Sequence, residues 1–405
     1  MIKRFSWKQQ RSAGDAKEYI DMKRILGVLL MLAMLMNTCA ALAAEESSFA
    51  VITKGVNVNL RKQPGGDIIT KVPRGTTVYV VDSQTKNGKL WRQIIVSLEN
   101  DHYNCMGWMD ASYLTGVYDL YENVAEAAVG DRHVLLRMED GTAHAFGFAF
   151  RDNLAVDTWD KVGGIAAGRF TSFGLSEDGM TVYANSQKSQ SATAPLVAIY
   201  ANSHDDETGA LTAQGQLLYD CYSYSDGGWN SRTRKDVKPD QKVTDAALRV
   251  EFRAYITEDA VLHAKATYDI TQSVDEGNGL QNAVKVEDGG YDLYVLMADG
   301  SVQCFGMMAE SLREQIAEWH NVVDIAAGNG FVAALMDDGT VRFAGTMPAF
   351  NMDYRDANRL RRTNLEDAGY LSDWQDIVSI AAGDNILVGV TEDGRIRLVA
   401  QYVYE

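Results

Sequence analysis

Three stretches of the chain repeat one pattern of apolar and polar positions. WDKVGGIAAGRFTSFGLSEDGMTVYAN begins at Trp159, WHNVVDIAAGNGFVAALMDDGTVRFAG at Trp319 and WQDIVSIAAGDNILVGVTEDGRIRLVA at Trp374. In the last copy, residues 377 to 381, 386 to 391 and 395 to 400 are short runs rich in β-branched side chains with glycine-bearing punctuation between them, and each predicts a strand. The Asp-Gly pair between the second and third runs predicts a hairpin turn, because glycine accepts the positive φ and aspartate bonds the local backbone. Spacing ties the copies together. Trp159 to Asp178, Trp319 to Asp338 and Trp374 to Asp393 are each 19 residues apart, and Gly168, Gly328 and Gly383 each stand 10 before the same aspartate.

Weaker copies share these intervals. Gly130 to Asp140 and Gly289 to Asp299 keep the count of 10, with Tyr121 at the first copy's tryptophan position. Two more are degenerate: one puts Asp259 at the turn but follows it with Ala260, and one, ending at residues 213 to 216, keeps Gly215 and loses the aspartate. Seven units result, with turns 36 to 55 residues apart, which is the period of a propeller blade. A unit of three or four strands cannot cover both its faces alone, whereas radial stacking covers the faces and protects the edges. With its W…IAAG…DG pattern, the region from 117 to 405 resembles the repeats of the regulator of chromosome condensation (RCC1). That resemblance implies a seven-bladed β-propeller.

Residues 49 to 116 carry short runs broken by Pro64-Gly65-Gly66 and Arg74-Gly75, with positions 76 to 81 alternating sides, and predict a small barrel. Val58-Asn59-Leu60-Arg61, Pro64-Gly65, Gly75-Thr76, Trp91, Gly107-Trp108 and Tyr113-Leu114 follow one another in an order that resembles the bacterial SH3 domain. The resemblance implies binding of peptidoglycan or a cell-wall peptide. Trp91 and Trp108 are its candidate platform, although a barrel this small also needs large side chains to fill its core. The fold class expected of the whole is therefore all-β, an SH3-like barrel followed by a propeller. Residues 117 to 122 are either a plain linker or a strand that, with residues 401 to 405, helps close the ring.

Lys23-Arg24, the apolar run ILGVLLMLAMLM and Ala41-Leu42-Ala43 predict a signal peptide over residues 1 to 43, with Met22 the preferred start. The run is short for a membrane span. The chain carries a formal net charge of −17, and no basic stripe marks a nucleic-acid partner. The expected location is secreted or wall-associated. Export also removes any small GTPase from reach. Cys105, Cys221 and Cys304 follow the signal segment without metal-ligand spacing, and read as buried thiols or one disulfide.

Candidate binding residues lie in the insertions. Residues 346 to 373 hold Tyr354, Arg355, Arg359, Arg361 and Arg362, and residues 219 to 235 hold Tyr222, Tyr224 and Trp229; aromatic and arginine side chains are what protein interfaces enrich. Residues 309 to 319 have helical spacing. The turn acids Glu139-Asp140, Glu177-Asp178, Asp337-Asp338 and Glu392-Asp393 should form an arc on one rim, where the turn itself demands the aspartate and the charge is available to a basic partner. No catalytic, cofactor or metal motif is present. The sequence thus predicts a wall-binding barrel joined to a propeller that presents loops to a protein. Alternatives are a secreted enzyme inhibitor, since the propeller also resembles β-lactamase inhibitor proteins, and a hydrolase or lectin working in the central funnel.

Overall fold

The computed structural model describes residues 48–98, 103–148, 153–185, 189–201, 208–219, 222–223, 228–229, 241–352 and 361–404, all within the compact unit Ser47–Glu405. The signal segment, Cys221, Tyr224, Tyr354, Arg355 and Arg359 lie outside the described residues.

The N-terminal sheet contains β1 (Phe49–Ile52), β2 (Asn57–Arg61), β3 (Ile68–Pro73), β4 (Thr77–Lys86), β5 (Lys89–Leu98), β6 (Tyr103–Asp110) and β7 (Leu114–Gly116), in the spatial order β3-β2-β6-β5-β4-β1-β7. Val58, Leu60, Val72, Val78, Val80, Ile94, Val96 and Met109 fill its core. Side chains alternate sides along β4 as expected, yet all four residues from Thr77 to Val80 are buried. Both faces are covered: Val78 and Val80 face the sheet's own core, whereas Tyr79 joins Phe49 and Ile95 in a second cluster with Val134, Phe146, Phe148, Ile386 and Tyr402 of the repeat region. Phe49 packs edge-on against Phe146, Phe148 and Tyr402 with ring centroids 5.6–5.8 Å apart. Tyr79 Oη donates to the Ala400 carbonyl at 2.5 Å, and Tyr118 Oη donates to that of Leu398 at 2.7 Å.

Past residue 117 the chain is a β-propeller. Its described residues include seven antiparallel sheets of three or four strands, one per sequence copy, whose innermost strands are Val124–Val129, Val162–Ala167, Leu196–Ala201, Val243–Leu248, Ala283–Asp288, Val322–Gly328 and Ile377–Ala382. These sheets are numbered 1 to 7 in that order. Each innermost strand touches its two neighbours, and the last touches the first. The degenerate copies are sheets 3 and 4, with middle strands Thr208–Thr212 and Phe252–Thr257.

The Asp-Gly turn also stitches the ring. In every sheet the carbonyl at the turn's glycine position accepts the N–H of the first inner-strand residue of the next sheet, from Val162 to Gly141 through Ile377 to Gly339, at 2.8–3.1 Å. Val124 N–H to Gly394 O, at 2.8 Å, makes the closing stitch. Gly394 has φ +71°, and a Cβ there would sit 2.8 Å from Asn123 Cα. At the other end of the inner strands the glycine of Ala-Ala-Gly serves a similar approach: a Cβ on Gly383 would meet the Gly130 carbonyl at 2.5 Å.

Among the described residues no strand is exchanged to close the ring. Residues 117 to 119 form a 3₁₀ turn, and the C-terminal strand Tyr402–Val403 pairs in parallel with Phe350–Asn351 of the last insertion. The helix expected near residue 309 is α1, Ala309–Ile316, which buries Ala309, Leu312 and Ile316. Trp159, Trp319 and Trp374 are 2–4 % exposed, each inside a cluster that draws on two successive sheets.

Candidate functional site

Every innermost strand carries a β-bulge at the same place, after its first residue. A bulge leaves one residue unpaired and re-aims the side chain that follows. Here it turns the third residue of the strand to the propeller axis, where a cavity of about 410 Å³ is lined by all seven inner strands. From the third position Glu126, Asp245, Lys285, Asp324 and Ser379 line it, and two residues further in come Ala128, Ala166, Tyr200, Ala247, Glu287, Ala326 and Ala381.

One arc of this wall is densely charged. Lys285 Nζ lies 2.7 Å from Asp324 Oδ1 and 2.9 Å from Glu287 Oε1, and donates to the Ile325 carbonyl at 2.8 Å. Asp245 Oδ2 accepts the Val286 N–H at 2.8 Å and is hydrogen-bonded to the Tyr200 hydroxyl. Enclosure pushes Glu287 up to about 7 and Asp245 up to about 6, against the pull of Lys285. The same enclosure, with Asp245 beside it, raises the Tyr200 hydroxyl. Lys285 keeps its proton despite burial because Glu287 and Asp324 flank it. Across the cavity Glu126 pairs with Arg137 at 2.8 Å. Both carboxylates raised toward neutrality line the cavity, so its net negative charge grows with pH between about 6 and 7. Among the described residues no group of three or more His, Cys, Asp or Glu is placed to hold a metal ion.

This cluster was not singled out from the sequence, although a signal exists there. Counted back from the turn aspartate, Glu287 stands 12 residues away, where other copies have Ala128, Ala166, Ala247, Ala326 and Ala381; Tyr200 stands 14 before Gln214 and takes the equivalent place only in the strand.

The residues that were singled out fall elsewhere. Trp91 and Trp108 lie on adjacent strands, with Trp91 opposite Asp110 and Trp108 opposite Gln93. Strand alternation therefore puts both on the face opposite Ile94 and Val96, so they do not fill the sheet's core. Trp91 is buried with Lys89 Nζ 5.7 Å from its ring centre, Trp108 is half-buried, and Lys89 pairs with Asp110 beside them. Tyr222 and Trp229 are cross-strand partners in a two-stranded ribbon. Arg362 is exposed, and its guanidinium donates to the carbonyls of Asn329 and Thr346 and to Asn329 Oδ1, at 3.0–3.3 Å. Arg361 is exposed, and its carbonyl accepts the Ala349 N–H. Cys105 and Cys304 are buried free thiols, and enclosure pushes Cys105 up to about 11.

No protein-family model matches the chain, and no curated protein matches it. Among solved structures it is similar to the ectodomain of the Physcomitrella patens receptor kinase CR4, at 13% identity over 68% of this chain and 72% of that one with a TM-score of 0.48. It is likewise similar to human WBSCR16, at 14% identity over 85% and 100% with a TM-score of 0.46. A third is Prp20p from Saccharomyces cerevisiae, whose structure was described with its binding to Gsp1p and histones, at 16% identity over 68% and 72% with a TM-score of 0.37.

Proposed function

We propose that the chain is an exported binding scaffold in which an SH3-like barrel over residues 49 to 116 holds the cell wall and a seven-bladed RCC1-like propeller is displayed to a protein partner. The observation that carries this reading is the fusion of the two parts through the Phe49, Tyr79, Phe146, Phe148 and Tyr402 cluster. A barrel joined through buried aromatic rings holds the propeller in one orientation, as display requires. The wall-binding patch we assign carries Trp108, Trp91, Lys89 and Asp110, on the same side of the sheet as Ile95 but at the other end of β5, where a half-buried ring and an ion pair suit a short peptide. The test is sedimentation of the purified chain with isolated peptidoglycan sacculi, alone and with Trp108→Ala. The chain should pellet, and the variant should pellet several-fold less with an unchanged melting temperature. Equal pelleting would remove the tryptophan patch from the reading, and no pelleting of the parent would remove the wall.

A further inference from the structure

Sheet 4 departs from the others at one position of its middle strand. Six residues before the turn, where sheets 1, 5, 6 and 7 bury Val134, Leu293, Val332 and Leu387, it carries Arg253. Phe252, Ala254 and Ile256 of this strand pack against sheet 5, so strand alternation turns Arg253 and Tyr255 toward sheet 3. Cross-strand pairing then sets Lys265 opposite Arg253 and His263 opposite Tyr255 on the same face. Sheets 2, 6 and 7 fill the equivalent space with Trp159, Trp319 and Trp374. Between sheets 3 and 4 there is instead a cavity of about 810 Å³, whose lining includes Tyr219, Arg253, Tyr255, His263, Lys265 and Asp275.

This lining is cationic and aromatic in a chain whose net charge is −17. The Arg253 guanidinium carbon lies 5.2 Å from the Tyr219 ring centre, and Tyr255 stacks on His263 with centroids 4.9 Å apart and an interplanar angle of 18°. Lys265 is exposed and makes no ion pair among the described residues. The Asp275 carboxylate is turned to the backbone, where Oδ1 accepts the Ala266 N–H at 2.6 Å. The propeller asks for an aliphatic side chain where Arg253 stands, so the fold does not explain this chemistry. A cavity of this volume is the size of a small-molecule site. A guanidinium beside an ammonium suits the oxygens of a carboxylate or phosphate, and stacked rings suit a planar body. We propose that this cleft binds a small organic anion, its planar body against Tyr255 and His263 and its carboxylate or phosphate between Arg253 and Lys265.

The test is isothermal titration calorimetry of the purified chain with three planar probes: coumarin-3-carboxylate, 4-methylumbelliferyl phosphate and uncharged coumarin. At least one of the two anions should bind, and the tighter one names the head group that the cleft takes. Uncharged coumarin should bind about tenfold more weakly than that anion, or not at all. Lys265→Gln removes an exposed cation, and Arg253→Leu restores the aliphatic side chain that sheets 5 and 7 carry, so neither should lower the melting temperature. Each should weaken binding of the anion by about tenfold, the loss of one charge-assisted hydrogen bond. Should Arg253→Leu melt earlier than the parent, Lys265→Gln alone decides. No binding of either anion, equal binding of uncharged coumarin, or anion binding indifferent to Lys265→Gln would each overturn the proposal. None of these outcomes bears on sedimentation with sacculi, so the wall reading stands or falls separately.

Discussion

Each repeat tryptophan faces a middle-strand residue 15 positions later, and the two sizes compensate. Trp159, Trp319 and Trp374 go with Gly174, Ala334 and Gly389, whereas Tyr121 goes with Leu136 and Leu280 with Val295. A Cβ on Gly174 or Gly389 would meet the indole at 2.8–2.9 Å. Trp374→Ala should therefore cost about 3–5 kcal/mol in denaturant unfolding. Gly389→Val should also destabilise, and combining it with Trp374→Leu, the pairing of sheet 5, should recover more than about 1 kcal/mol relative to additivity. Ala260 holds the turn-glycine position of sheet 4 at φ +60°, a conformation that costs an L-residue about 1–2 kcal/mol; Ala260→Gly should raise the melting temperature. His133 is fully buried. Ser172 Oγ gives its proton to the Asn153 carbonyl, so His133 Nε2 must donate to Ser172 at 3.0 Å, leaving Nδ1 unpartnered. Burial, then the charge of Arg132, pushes its pKa down to about 3. As pH falls below the ordinary histidine value the unfolded chain takes up a proton that the folded one refuses, so stability falls, by about 2 kcal/mol between pH 6.5 and 5. The raised carboxylates Asp245 and Glu287 act in the opposite sense, so the measurement is a difference. The stability gap between the parent and His133→Gln should shift by that amount across this window, and a gap independent of pH would contradict a buried neutral imidazole.

At the scale of elements, the outer edges of the sheets are guarded by side chains. The outer strand of sheet 4, Leu262–Ala266, has its Ala264 and Ala266 N–H groups taken by Asn278 Oδ1 and Asp275 Oδ1. In sheet 6, Glu366 takes the Phe343 N–H at 2.9 Å and Arg342 Nε at 2.7 Å. An edge capped this way offers no free ladder to another chain. Glu366→Ala should accordingly lower stability by about 1–2 kcal/mol and raise the aggregation rate on heating, read by light scattering. Strand positions and turns were legible because period and Asp-Gly chemistry are local. The bulges were not: a bulge is a mismatch between two strands, and nothing in VVDIAAG alone says that Val323 is skipped and Asp324 faces the axis.

At the scale of the molecule, the barrel region and the repeat region share a core. Removing residues 49 to 116 would expose Phe146, Phe148 and Tyr402, so residues 117 to 405 alone should melt well below the full chain and bind a hydrophobic dye. Equal melting temperatures would return the parts to independence. The last insertion is likewise drawn into the assembly, since Met352 accepts from Asn104 at 3.3 Å and Phe350 pairs beside Tyr402. Its Arg362 donates to the Asn329 and Thr346 carbonyls of sheet 6.

The sequence by itself determined the all-β class, the repeat and its phase, and the turns, because each depends on residues within about one unit of chain. Only the tertiary structure decided what lies across units: the stitch from each turn to the next sheet, the docking of Tyr79 onto sheet 7, and the meeting of Lys285 with Asp324 from neighbouring sheets. The physical reason is the ring. Equivalent positions in a radial repeat converge on one axis, so side chains about 40 residues apart in sequence become contacts there, and whether a third-position residue is Gly164, Lys285 or Asp324 acquires meaning only beside the others.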